Sequence, residues 1–304
     1  LKKTFYSNGK LLLTGEYTVL DGATALALPT KQGQYLDVEP TKRETFLWTA
    51  LDANGTVWLE EELSFSSVRK NTQLHKNHDA NTLIGILHEA HKANPELLKE
   101  ATGFAVTTRL TFPRQWGLGT SSTLINNIAQ WFGIDAFALL TKSFGGSGYD
   151  IACAQNDTAI CYQLENGHPI VVSAPFHPSF ANSLYFVYLN QKQNSRAAIA
   201  AYRERRTALE DTIERITELT EDILKAKGLQ TFAVLLEEHE NLMSAILGLP
   251  TVKQNLFPDF NGTLKSLGAW GGDFILAVTQ EDPTTYFNAK GYNTVIPYAE
   301  MILS

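Results

Sequence analysis

A glycine pair set between a strand and a helix constrains this chain more than any other feature. Phe104–Leu110 alternates apolar and polar residues, as a half-buried strand does. It delivers the chain into Pro113-Arg-Gln-Trp-Gly-Leu-Gly-Thr-Ser-Ser-Thr123, and helical periodicity then runs from Ser121 to Phe132. Gly117 and Gly119 can take positive φ and let a ligand come close to the backbone. Thr120, Ser121 and Ser122 put hydroxyls and unbonded N–H groups at a helix start, where the dipole favours an anion. A phosphate site satisfies these residues, and so does a plain glycine turn with a Ser/Thr N-cap. No Lys follows the second glycine, so the loop is not of the G-x-x-x-x-G-K-[ST] kind.

Composition narrows the partners. The 304 residues suffice for two domains or one large unit. Lys and Arg number 25 against 32 Asp and Glu, a net charge of −7 that argues against nucleic acid as a partner. A few local cations can still gather a small anion. Cys153 and Cys161 form no metal or redox pattern, which fits a reducing compartment. No apolar run approaches the roughly 20 residues that span a bilayer. The opening Leu-Lys-Lys-Thr-Phe lacks the apolar core of a signal peptide. A cytoplasmic protein without membrane or nucleic-acid partners is expected, as a monomer or homodimer.

Short runs at Lys10–Leu13, Tyr17–Leu20, Ala25–Leu28, Gln34–Val38, Thr45–Ala50 and Thr56–Leu59 predict strands, punctuated by Gly15, Asp21-Gly22, Pro29, Gly33, Pro40 and Asn54-Gly55. Helical spacing marks Asn81–Ala93, Ala136–Lys142, a long stretch from Ser195 to Lys225, and Phe232–Leu247. Strands are expected at Ala159–Leu164, Ile170–Val172, Tyr185–Leu189 and Phe274–Val278. The texture turns from β-rich to helical near residue 175, predicting domains of 1–175 and 176–304.

Three further glycine-rich segments join the first. They are Ser7-Asn-Gly-Lys-Leu-Leu-Leu-Thr-Gly-Glu-Tyr17, Gly145-Gly-Ser-Gly-Tyr-Asp150 and Leu267-Gly-Ala-Trp-Gly-Gly-Asp273. Together the four segments resemble the motifs of the GHMP kinases, in the expected order and across residues 7 to 273. Gly15-Glu-Tyr17, Gly146-Ser-Gly-Tyr-Asp150 and the closing Gly-Gly-Asp273 are similar to the phosphomevalonate kinase branch more than to the mevalonate kinases. The resemblance implies an α+β, two-domain fold: an N-terminal domain like domain 2 of ribosomal protein S5, a ferredoxin-like C-terminal domain, and ATP in a cleft. It further implies an ATP- and Mg²⁺-dependent phosphotransferase acting on phosphomevalonate or mevalonate in isoprenoid precursor synthesis. A GHMP kinase for a sugar or homoserine-like acceptor, or a non-catalytic nucleotide- or metabolite-binding relative, is the alternative.

The same resemblance assigns residues. Lys10 matches the lysine that bridges the transferred phosphate and the acceptor, and Asp150 the aspartate that orients or deprotonates the acceptor hydroxyl. Without the family, Lys10 reads as a strand-edge lysine and Asp150 as the cap of a short helix, Ile151–Gln155. Gly117, Leu118 and Gly119 would meet phosphates through the backbone, beside Thr120, Ser121 and Ser122, with Ser121 on Mg²⁺. Gly268, Ala269, Gly271 and Gly272 would close the nucleotide site. Ser147, Gly148 and Glu16 are expected near the acceptor, although Glu16 reads equally as a buried structural carboxylate. Lys192 and Arg196 would supply cations to an anionic acceptor, or else begin a solvated basic helix. Asp273 reads as functional or as structural.

Three departures accompany the match. Only 29 positions separate Ser121 from Asp150, fewer than in the relatives, which implies a trimmed helical segment near the acceptor pocket. Mevalonate kinases carry a Mg²⁺-holding glutamate ahead of the aspartate, whereas Leu139 stands at that distance here and no carboxylate lies between Ala136 and Tyr149. Ser121 would therefore carry more of the metal ligation. Motif three also has Trp270 where glycine is usual, which predicts a large ring in a phosphate-facing loop. Elsewhere, His88 and His91 share a helix face but no third metal ligand is evident. No G-x-S-x-G or early G-x-G-x-x-G occurs.

Overall fold

The computed structural model describes residues 1–73, 75–193, 195–205 and 209–303, with the backbone alone for Glu100, Ser195, Arg196 and Arg205. Its contacts divide the chain into two compact units, neither of them one continuous stretch. Unit 1 holds Leu1–Gly9, Gln32–Arg114 and Leu118–Gln155; unit 2 holds Lys10–Lys31, Gln115–Gly117 and Asn156–Ser304. The expected boundary near residue 175 falls inside unit 2.

Unit 1 takes β1 (Lys3–Leu12) as far as Gly9 and the second part of β2 (Ala25–Pro40). It continues with β3 (Thr45–Leu51), β4 (Val57–Ser64), α1 (Phe65–Lys70), α2 (His78–Ala93) and α3 (Glu96–Glu100). Then come β5 (Phe104–Leu110), α4 (Thr120–Phe132), α5 (Ala136–Ser143) and α6 (Tyr149–Gln155). The strands lie in the order β4-β3-β5-β2, with β3 and β5 parallel and the other pairs antiparallel. Val38, Phe46, Trp48 and Val106 on the sheet meet Leu83, Leu87, Ile125 and Trp131 from the helices in one apolar core. Phe46, Phe65, Phe104 and Trp131 form its aromatic centre, with ring centroids 4.9 to 6.0 Å apart. Edge-to-face and offset rings at such spacing add to the burial of their area.

Unit 2 pairs the first part of β2 with β6 (Ile160–Glu165), and β6 with β7 (His168–Ser173). It goes on through β8 (Leu184–Tyr188), α7 (Ser195–Arg205), α8 (Glu210–Lys225), α9 (Leu229–Leu247) and α10 (Val252–Leu256). The chain ends with β9 (Thr263–Ser266), β10 (Phe274–Val278), α11 (Thr284–Ala289), β11 (Val295–Pro297) and α12 (Tyr298–Met301). The second sheet is antiparallel throughout, in the order β11-β8-β10-β9. On α8 the buried residues Ile216, Leu219, Thr220 and Ile223 recur every three or four positions and form its inward stripe.

Three local expectations give way to packing. Tyr17–Leu20 is not a strand: Thr18–Asp21 is a 3₁₀ turn, entered through Tyr17 at φ 61°. The Tyr17 ring stacks on Tyr202 at 5.5 Å and its hydroxyl accepts the Trp270 backbone N–H (2.8 Å), contacts that override a local strand preference. Ala25–Leu28 and Gln34–Val38 are one continuous strand, β2. Pro29 and Gly33 fall between the ladder to β6, which ends at Ala27, and the ladder to β5, which begins at Gln34. Gly33 has a further use, since a Cβ there would overlap the Ser7 carbonyl and the Tyr6 ring. The stretch 195–225 is two helices, α7 and α8, with 206–208 outside the described residues.

Candidate active site

In unit 1 the glycine turn opens α4 as its composition predicts. Gly119 is the N-cap at φ 98°, a conformation that a side chain would penalise. Leu118 is fully buried and offers only its backbone. Ser122 and Thr123 turn their hydroxyls back onto the Gly119 carbonyl, at 2.9 and 3.0 Å. Thr120 and Ser121 are half-buried. The four hydroxyls therefore divide into an inner pair that holds the turn and an outer pair at the helix mouth.

A buried amide network fixes this helix. Thr123 donates to Gln34 Oε1 (2.8 Å), and Asn127 Nδ2 donates to the Gln34 carbonyl (2.9 Å). Ser7 Oγ donates to Asn127 and accepts from Asn126 Nδ2 (2.8 and 2.9 Å). Gln155 Nε2 donates to Asn126 Oδ1 (2.9 Å), tying the end of α6 to α4. Each polar group buried here has a partner, and a satisfied network of this kind rigidifies its elements. Asp150, half-buried, lies in the first turn of α6, which Gly148 opens by accepting from the Ile151 and Ala152 N–H groups (3.0 and 3.1 Å). Ser147 is half-buried beside it. Sequence reading missed Ser7, Gln34, Asn126, Asn127 and Gln155. The adjacent amides Asn126-Asn127, on the inward side of an otherwise apolar helix, were the available signal.

In unit 2 Lys10 donates from Nζ to the Gly117 carbonyl (3.1 Å). The third glycine turn follows β9, with Gly268 and Gly271 at φ 66° and 77°. Gly272 has no room for a side chain, because a Cβ would overlap Gln193. Ala269 is buried. Trp270 departs from expectation. Its ring does not face a ligand in the loop but is 9% exposed within the core that holds Tyr17, Tyr202 and Met243. The indole Nε1–H donates to the Pro250 carbonyl (3.1 Å), and burying this large ring anchors the turn. Lys192 is exposed on the segment after β8. Arg196 opens α7, and its side chain lies outside the described residues.

Glu16 is not at a surface where it could meet an acceptor. It is 1% exposed, inside a buried charge cluster with Lys265 of β9 and His239 and Glu240 of α9. Lys265 donates to Glu16 and to the Ser266 carbonyl (2.6 Å), and its ammonium lies 3.4 Å from Glu240. Glu240 also accepts from the Ser266 N–H and hydroxyl (3.0 and 2.7 Å). Burial pushes the Glu16 carboxyl up to about 7, against the opposing pull of Lys265. His239 is driven well below its ordinary value by burial and by Lys265. Neutral His239 can then accept the Gly15 N–H at Nε2 (2.9 Å), which holds the turn that leads to Tyr17. Nothing in the local sequence marked Lys265, His239 or Glu240, since they meet only through the packing of α9 on β9.

His88 of α2 is also accounted for structurally, with Nδ1 2.8 Å from the Val68 carbonyl. Among the described residues no group of three or more His, Cys, Asp and Glu side chains is arranged for a metal, and no helix is long and apolar enough to cross a membrane.

Likeness to solved kinases gives the chain the GHMP kinase fold, a mixed helix-and-strand architecture with two sheets. Its likeness to solved structures runs over nearly the full length. A Methanococcus jannaschii mevalonate kinase superposes with a TM-score of 0.73 at 13% identity, covering 100% of this chain and 99% of its own. A Streptococcus pneumoniae phosphomevalonate kinase in complex with phosphomevalonate and AMPPNP gives 0.69 at 14%, covering 99% and 98%. A Lactococcus lactis galactokinase complexed with galactose gives 0.67 at 13%, covering 97% and 94%. No family model matches the sequence, and no curated protein matches it. At these identities the likeness establishes the fold, and the acceptor has to be argued from residues.

Proposed function

We propose that this chain is an ATP- and Mg²⁺-dependent small-molecule kinase whose acceptor is mevalonate-like, with phosphomevalonate favoured over mevalonate. One observation carries the reading. The 13-residue helix α4 opens on a left-handed glycine, with Thr120 and Ser121 at its mouth and the inner hydroxyls tied back. Free N–H groups and the helix dipole suit that mouth to a polyphosphate. Gly117, Leu118 and Gly119 would contribute backbone, and Gly268, Ala269, Gly271 and Gly272 would complete nucleotide binding. Ser121 would hold Mg²⁺, which when bound would neutralise phosphate charge.

In this reading Asp150 takes the acceptor hydroxyl proton as that oxygen bonds to the γ-phosphorus and ADP leaves. Lys10 offsets the charge on the transferred group. Ser147 and Gly148 would flank the acceptor, and Lys192 with Arg196 would bind its phosphate. Support for phosphomevalonate comes from Gly-Glu-Tyr at 15–17, Gly-Gly-Asp at 271–273 and the exposed Lys192.

ADP release should be measured with ATP and Mg²⁺ against mevalonate, phosphomevalonate, homoserine and sugars. Turnover is expected with phosphomevalonate, and Asp150→Ala should lose roughly two or more orders of magnitude. Turnover with a sugar alone would reassign the acceptor. ATP binding without turnover on any acceptor would favour a non-catalytic relative. Full activity in Asp150→Ala would remove that residue from the chemistry.

A further inference from the structure

Asp273 stands in a conformation that needs explaining. It is one of the non-glycine residues with positive φ, at 53°, and it is 9% exposed. A left-handed backbone and a buried carboxylate are each unfavourable unless the surroundings hold them. Its main chain is clamped on both sides: Asp273 N–H donates to the Gln191 carbonyl (2.7 Å), and its own carbonyl accepts from Leu189 N–H (2.8 Å). Its carboxylate Oδ1 accepts from the Gln193 N–H (3.2 Å).

The carboxyl lies directly against Gly117. A Cβ on Gly117 would overlap the whole carboxyl group, so only glycine fits there. The carbonyl of that same Gly117 receives the Lys10 ammonium. The neighbouring ring of Trp116 packs edge-on to Phe274 at 5.4 Å, and the Tyr188 hydroxyl donates to the Gln115 carbonyl (3.1 Å). The start of the glycine turn is thus seated on β8 and β10 through residues 115–117, with Asp273 beneath its first glycine.

We propose that Asp273 is a positioning residue for phosphoryl transfer: its carboxylate seats Gly117 and supplies the counter-charge that orients the Lys10 ammonium. Burial raises the Asp273 carboxyl above the ordinary carboxylate value, and Lys10 foremost, then the Gln193 N–H and Lys192, pull it back. A carboxylate in this position keeps an ammonium directed without itself touching the transferred group. The inference rests on the kinase reading above.

Asp273→Asn is the discriminating variant. Asn tolerates the left-handed backbone and keeps an acceptor for Gln193, so a purely structural role would survive the change. The measurements are kcat and KM for ATP with the accepted acceptor, urea unfolding, and a cycle with Lys10→Ala. For D273N we expect kcat to fall about tenfold or more, KM for ATP to stay within about threefold, and the urea midpoint to hold. The double variant should be no more than about twofold slower than K10A alone, because Asp273 acts through Lys10. A kcat in D273N within about twofold of wild type, or losses that simply multiply, would overturn the proposal while leaving the kinase reading intact. A wild-type chain inactive on every acceptor would overturn both.

Discussion

Two of the lysines in unit 2, Lys265 and Lys10, act on carboxylates in different surroundings. Lys265 is wholly buried with Glu16, Glu240 and His239, all at most 2% exposed. Lys10 and Asp273 stand beside a glycine turn, with exposed Lys192 among the charges that act on the aspartate. The sealed group binds α9, β9 and the Gly15 turn to one another and leaves no surface for a ligand. The second group meets at Gly117, whose carbonyl accepts from the Lys10 ammonium and whose Cα faces the Asp273 carboxyl. The same residue types therefore do architecture where they are sealed from water, and in the proposed reading serve chemistry beside the glycine turn.

The comparison can be broken most forcefully at Lys265. Lys265→Met would leave Glu16 and Glu240 without their cation, and removing one partner of a buried pair costs about 3–5 kcal/mol. Urea unfolding should register that loss. A change below about 1 kcal/mol would mean that the cluster is not the anchor described.

Gly117→Ala comes next. The methyl would collide with the Asp273 carboxyl at a positive-φ site, at an expected cost of about 1–3 kcal/mol in the same assay. In an Asp273→Gly background the penalty should shrink to that of the backbone alone. An unchanged penalty there would show that Asp273 does not press on Gly117.

The pH dependence sharpens the contrast with a smaller signal. Glu16 is raised from 4.5 to about 7, so its contribution to stability is full below 4.5 and is lost as pH rises towards 7. His239 is lowered well below 6.5, so its contribution is present above 6.5 and is lost as pH falls. Between 4.5 and 6.5 the two slopes oppose one another. Glu16→Gln should expose the His239 slope, with stability falling on acidification below 6.5 by up to about 1.4 kcal/mol per pH unit. A variant profile as flat as that of the parent would refute the opposition.

The turn at the start of α4 was legible in the sequence because its constraints are local. Gly117 and Gly119 announced a turn through their backbone freedom, and the hydroxyl run announced a helix start. The division among those hydroxyls was not legible: Ser122 and Thr123 bond back to Gly119 because of where the first helical turn points them. Glu16 was ambiguous for the same reason, since its environment comes from residues 239, 240 and 265. Trp270 misled outright. A large ring was expected in a phosphate-facing loop, yet the turn places the indole in the core.

The sequence by itself determined the secondary elements with strong periodicity, the glycine turns, the charge balance and the order of the four motifs. These depend on neighbours within a few positions, whose spacing sets the face or turn they form. Only the tertiary structure decided that β2 runs through Pro29 and Gly33, that Tyr17 enters a 3₁₀ turn, and which lysine is sealed and which stands at the turn. Burial fixes how a charge behaves, and burial is a property of segments brought together from far apart in the chain.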